Sequence, residues 1–301
     1  MRTAFIEELI VQARIYPGIF LIVGDLGYSV VEPFAAEFPD RFLNAGVAEQ
    51  NMTGVAAGLA SEGYHVFTYS IANFPTLRCL EQIRNDVCYH RLPVTVVAVG
   101  AGLAYGNLGY SHHGVQDLAC LRGFPGLALH SPGDPGEARQ AVRHLAAHPG
   151  PSYLRLGKAG ERQLHSLPVS VLEPTLVRAC GASLALVATG SILGEAFDAA
   201  ELLAARGILC DVFSFGCPSA EAPYWVPQLA AYRTLLTIEE HVGPGGLGEL
   251  IAAELPRSVA VERAFLPAHV LSLVGSQAWL RTAAALDAAS LAQRAEAIVR
   301  G

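Results

Sequence analysis

Short apolar-rich runs over residues 18–23, 41–45, 65–69, 94–99, 127–131 and 152–156 recur through the first half of the chain, with helix-patterned stretches between them. The helical stretches include 2–14, 51–61, 75–89 and 135–147. Runs of this length predict strands buried on both faces, and the intervening helices supply the covering layers. This alternation constrains the fold most: it implies a parallel sheet in an α/β architecture, with function gathered at the carboxyl ends of the strands.

A polar stretch over 159–174, with Pro168 and Pro174 as breakers, interrupts the pattern. A second, smaller alternation follows, with strand 184–188, helix 194–206, strands 210–215 and 234–239, and helix 247–254. We therefore expect one domain over 1–160, a linker over 161–180 and a second, smaller α/β domain over 181–301. A chain of 301 residues is long for a single core, which agrees.

Hydrophobic residues make up 52% and charged residues 16%, a balance that predicts large internal surfaces or subunit interfaces. A net charge of −7 without any Lys/Arg cluster argues against nucleic acid as a partner. The longest apolar runs are strand-length, far short of a bilayer span, and Glu7 and Glu8 stand where a signal peptide would be apolar. A cytoplasmic protein away from membranes is expected. Cys79, Cys88, Cys120, Cys180, Cys210 and Cys217 form no C-x-x-C pair and read as buried thiols not joined in disulfides.

Glu49 falls between a strand end and a helix whose small residues, Gly54, Ala56, Ala57, Gly58 and Ala60, suit tight packing against another backbone. Such a helix would bury the carboxylate at its start, where it needs a partner. The local pattern leaves two readings open, a helix-terminal cap and a functional acid.

The segment 38–52, FPDRFLNAGVAEQNM, resembles the pyrimidine-binding domain of transketolases and deoxyxylulose-phosphate synthases. The resemblance continues through EQIRN at 81–85, SHHGVQDLA at 111–119 and IEEH at 238–241. It implies a pyrimidine-binding thiamine diphosphate domain followed by a transketolase C-terminal domain. It also implies transfer of a two-carbon ketol unit from a ketose or sugar phosphate to an aldehyde. In the family, the residue matching Glu49 hydrogen-bonds the cofactor's pyrimidine N1′. Phe74 matches the residue that stacks on the ring, Ile71 and Leu77 replace two further aromatics of the pocket, and Asp25 matches another position at the cofactor. His112 matches the histidine that exchanges protons at the reacting carbon, and His113 is an extra neighbour expected at the substrate. Adjacent histidines point apart and no Cys or Asp lies at metal spacing, so catalysis is favoured over a metal site. Arg2, Ser29 and Lys158 match positions that bind the substrate phosphate.

Two departures bear on specificity: Leu108 replaces an Asp that recognises a donor hydroxyl, and Gly100 replaces a histidine at the donor. They keep a decarboxylating 2-oxo acid enzyme of the synthase or dehydrogenase β-subunit type as the alternative, with a non-catalytic assembly subunit as a third reading. The family's Mg²⁺ clamp, Gly-Asp-Gly followed by Asn, has no counterpart, since Gly24-Asp25-Leu26 and Gly133-Asp134-Pro135 lack the second glycine. The expectation is an N-terminal diphosphate-binding partner subunit that supplies the Mg²⁺ ligands, assembled with this chain as α2β2. Gly243 to Gly248 reads G-P-G-G-L-G, matching a dinucleotide fingerprint, but it follows a late strand and Pro244 offers no N–H, so nucleotide binding is rejected. His241 is expected to be structural or at a subunit contact.

Overall fold

The computed structural model describes residues 1–166, 169–219 and 224–300. Pro168, expected as a breaker, lies outside the described residues. The first sheet is wholly parallel with order β2-β1-β3-β4-β6-β5. Its strands are β1 (Ile19–Val23), β2 (Phe42–Asn44), β3 (His65–Ile71), β4 (Val94–Val99), β5 (Ala128–His130) and β6 (Ser152–Leu156). The second sheet has order β11-β10-β8-β9-β7, built from β7 (Thr175–Arg178), β8 (Leu184–Thr189), β9 (Asp211–Ser214), β10 (Thr234–Val242) and β11 (Ala260–Leu266). All its pairings are parallel except β7 with β9.

Helices cover both faces of the first sheet. Helices Arg2–Ile15, Glu32–Glu37 and Pro135–Ala147 enclose one core with Phe5, Phe34 and Leu154; helix Glu49–Ser61 and the turns after β3 enclose the other with Met52, Val96 and Tyr153. Strands covered on both faces need no polar alternation, which is why the apolar runs were readable. Asp134 caps helix Pro135–Ala147 through the Glu137 amide at 2.9 Å, and Pro135 opens it with its φ already helical.

Several expectations need correction. The 75–89 stretch is a 3-10 turn (Leu77–Cys79), one α turn (Leu80–Gln82) and a π turn (Ile83–Cys88). Thr76 Oγ1 and Cys79 Sγ donate to the carbonyls of Ala72 and Phe74, competing with the α ladder at its start. In helix Glu49–Ser61 the alanines pack inward, but Gly54 and Gly58 face open space. Residues 175–178, inside the expected linker, form the antiparallel edge strand β7, placed just beyond Pro174. Strand β11 and helices Gln277–Ala283 and Ala288–Arg300 were not among the expected elements, although Leu291, Ala292 and Ala295 put one apolar face of the last helix into the core. Among the described residues no disulfide forms, and no helix is long and apolar enough to cross a membrane. Cys120 and Cys180 are only partly buried.

Candidate active site

The chain leaves β1 outward to β2, then returns to β3 on the other side of β1, which creates a topological switch point between β1 and β3. Ligands of open α/β sheets bind beyond the carboxyl ends of strands at such a point. Asp25 follows β1, Glu49 follows β2, Ile71, Phe74 and Leu77 end or follow β3, His112 follows β4 and Lys158 follows β6.

Glu49 begins its helix and is 2% exposed. Its Oε2 accepts from Arg78 Nη1 at 2.7 Å, while Oε1 takes no donor from the described residues. The end of β1 closes on this carboxylate: a Cβ at Gly24 would sit 3.5 Å from Glu49 Cγ. The Arg78 guanidinium lies over the Phe74 ring, 4.7 Å from its centroid. Phe74 meets the His112 ring edge-on at 5.2 Å and 71°. His112 Nδ1 and Ser111 Oγ share a hydrogen bond at 2.9 Å, which leaves Nε2 open. Asn73 fixes the loop by donating to the carbonyls of Ser111 at 3.1 Å and His113 at 2.9 Å. Ile71, at the end of β3, and Leu77, at the start of the Leu77–Cys79 turn, are half-buried. Glu49, Phe74 and His112 are thus joined through Arg78.

Arg2 Nε donates to the Lys158 carbonyl at 2.7 Å, and Lys158 Nζ lies 5.2 Å from the Tyr105 ring centroid. Two cationic residues are therefore joined beside Tyr105, beyond the carboxyl end of β6. Burial pushes the hydroxyls of Tyr69 and Tyr105 up, with Arg2 opposing the shift at both. Ser29 sits in the left-handed region (φ 63°) and gives its amide to Glu32 at 2.7 Å; among the described residues no hydrogen bond links it to Arg2 or Lys158. Asp25, also left-handed (φ 54°), accepts from Asn44 at 3.0 Å and Tyr28 at 3.2 Å.

His113 departs from expectation. It is fully buried, so it cannot touch a substrate, and burial lowers its pKa. The departure at Gly100 has a steric reason: its φ is +96°, and a Cβ there would lie 2.2 Å from the Tyr105 ring. Tyr105 fills the place a side chain would take. Leu108 is 51% exposed on the Gly106–Leu108 turn that leads to His112.

The glycine run at 243–248 holds no room for a phosphate, because Glu239 accepts from the amides of Leu247 at 2.7 Å and Gly248 at 2.9 Å at that helix start. Burial pushes the Glu239 carboxyl up to about 7, against the pull of those amides. His241 is buried, accepts from the Ala119 amide at 3.4 Å and bridges the two sheets' domains.

Arg78 and the buried pair of Arg155 with Asp117 escaped the sequence reading. A lone arginine inside the apolar run 152–156 was the available signal for the latter, since a buried guanidinium needs an anion. Burial opposes the Asp117 charge, but the Arg155 guanidinium and the Tyr153 hydroxyl outweigh it and hold the carboxyl below its ordinary range.

Comparison with known proteins bears on this geometry. The profile described as "Transketolase, pyrimidine binding domain" matches residues 1–162, and "Transketolase, C-terminal domain" matches 175–291. The chain is 33% identical to one subunit of the apulose-4-phosphate transketolase of Actinobacillus succinogenes, over 87% of this chain and 86% of that protein. It is 35% identical to 1-deoxy-D-xylulose-5-phosphate synthase 1 of Geobacter sulfurreducens, over 88% of this chain but 42% of that one. A solved structure described as a split gene transketolase, inactive beta4 tetramer, superposes with a TM-score of 0.84 at 30% identity, covering 98% of this chain and 96% of that one.

Proposed function

The chain belongs to the transketolase family, and on that premise we propose that it is the C-terminal subunit of a split, thiamine diphosphate-dependent transketolase. It takes part in moving a two-carbon ketol unit from a ketose or ketose phosphate to an aldehyde. The observation that carries this reading is the buried carboxylate of Glu49 at the switch point, with one oxygen open and Phe74 and His112 alongside. The match over most of the length of a separate transketolase subunit, against under half of the synthase, supports the split form.

These residues fit the pyrimidine end of the cofactor: an open acceptor oxygen, a ring for stacking and apolar walls. When bound, thiamine diphosphate supplies the carbon nucleophile and electron sink that side chains lack. Glu49 would hold the proton at the pyrimidine N1′, and Phe74 would stack, with Ile71 and Leu77 excluding water. Asp25, tied to Asn44, would support the pocket where β1 ends. His112, oriented through Nδ1 by Ser111, would move a proton at the reacting carbon with Nε2. Arg2 and Lys158 would anchor a phosphate, with Ser29 at the rim; Lys158 acts as a point charge without a guanidinium's fork. Mg²⁺ and the diphosphate end fall to an N-terminal partner subunit in an α2β2 assembly, and the cytoplasm is the expected location.

The test is co-expression with a subunit carrying Gly-Asp-Gly…Asn, followed by a donor and acceptor screen. Ketol transfer supports the proposal. Leu108 in place of a polar residue favours one second reading, decarboxylation of a 2-oxo acid, and carbon dioxide release from pyruvate without ketol transfer would select it.

A further inference from the structure

We propose that Arg78 is a positioning residue that divides the Glu49 carboxylate, holding Oε2 so that Oε1 faces the cofactor's pyrimidine. The inference rests on the proposed role of Glu49. The guanidinium has two anchors and the backbone a third. Arg78 Nη1 donates to Glu49 Oε2 at 2.7 Å, the guanidinium lies over Phe74 at 4.7 Å, and the Arg78 carbonyl accepts from Gln50 Nε2 at 3.0 Å. Two adjacent residues of one helix start, Glu49 and Gln50, therefore grip one residue of the turn after β3.

The two partners differ in exposure: Glu49 is 2% exposed at the side chain and Arg78 47%. Arg78 reaches in from solvent to satisfy a carboxylate that has no other protein donor among the described residues. A charge-assisted bond of this length fixes the torsion of the carboxylate. Without it, a buried carboxylate has reason to rotate toward water, which moves its open oxygen. Lysine can replace the charge but neither the planar fork nor the stacking on Phe74. The Phe74 ring in turn holds the guanidinium in place against Glu49.

The test is a double-mutant cycle on this chain assembled with its diphosphate-binding subunit, reading the calorimetric Kd of thiamine diphosphate with Mg²⁺. Arg78→Met is expected to weaken binding by roughly ten- to a hundredfold, and Arg78→Lys by less. In Glu49→Gln the further change Arg78→Met is expected to add almost nothing, because Arg78 acts through Glu49. The KM for the sugar substrate at saturating cofactor should not move in Arg78→Met. Effects that multiply in the double variant, or an Arg78→Met Kd equal to wild type while Glu49→Gln is impaired, overturn the inference and leave the role of Glu49 standing. A normal Kd in Glu49→Gln overturns the reading of the site and this inference with it.

Discussion

Arg155 gives Nε to Asp117 at 2.8 Å and Nη2 to the Glu240 carbonyl at 3.1 Å, so one buried guanidinium of the first sheet is shared between both domains. Tyr153 adds a bond to the same Asp117 oxygen at 2.6 Å. Helix Asp117–Leu121 begins five residues after His112, so this knot also sets the base of the His112 loop.

Arg155→Met leaves Asp117 buried without its cation and should cost about 3–5 kcal/mol. Denaturant unfolding measures this. Adding Asp117→Leu to that variant should recover part of the loss, since an apolar pair needs no counter-charge.

Glu49→Gln should fold like the wild type, because Arg78 is half-exposed and can turn to water. Turnover of the assembled enzyme should fall by about 10²–10⁴-fold. Steady-state kinetics beside a thermal melt separates the two effects.

Gly100→Ala places a methyl against the Tyr105 ring at a φ of +96°. A loss of about 1–3 kcal/mol is expected from the overpacking. Because Lys158 lies against Tyr105, KM should rise more for a phosphorylated donor than for its unphosphorylated counterpart.

His130 is fully enclosed, and burial, with His144 adding to it, pushes its pKa down to about 3 from an ordinary 6.5. The native state then binds fewer protons than the unfolded chain between those values. This contribution to stability is complete above about pH 6.5 and declines toward pH 3, by about 1.4 kcal/mol per unit at most. His65, lowered by burial to about 4, acts in the same sense. Urea midpoints at pH 7 and pH 5 should converge in His130→Phe relative to wild type.

The parallel sheet was legible because strands covered on both faces are apolar nearly throughout, as Val94–Val99 illustrates with Thr95 as its one polar residue. Strand β11 was not, since its first four residues alternate between exposed and part-buried at a sheet edge and include Glu262 and Arg263, and only Ala264 and Leu266 are buried. Glu49, Phe74 and His112 were singled out by an ordered register of motifs, and the structure brings them together. Arg78 escaped because a half-exposed arginine in a turn has no pattern of its own; only the fold puts it on Glu49, 29 residues away in sequence. His113 misled because a residue next to a site residue in sequence points to the opposite side, here into the core.

We propose that this chain supplies the pyrimidine half of a cofactor site and works only when a second subunit brings the diphosphate half. Ketol transfer should be measured with the purified chain, thiamine diphosphate and Mg²⁺, before and after adding the diphosphate-binding subunit. No transfer is expected from the chain alone, and turnover should saturate at one partner per chain once the subunit is added. Turnover by the chain alone would contradict it.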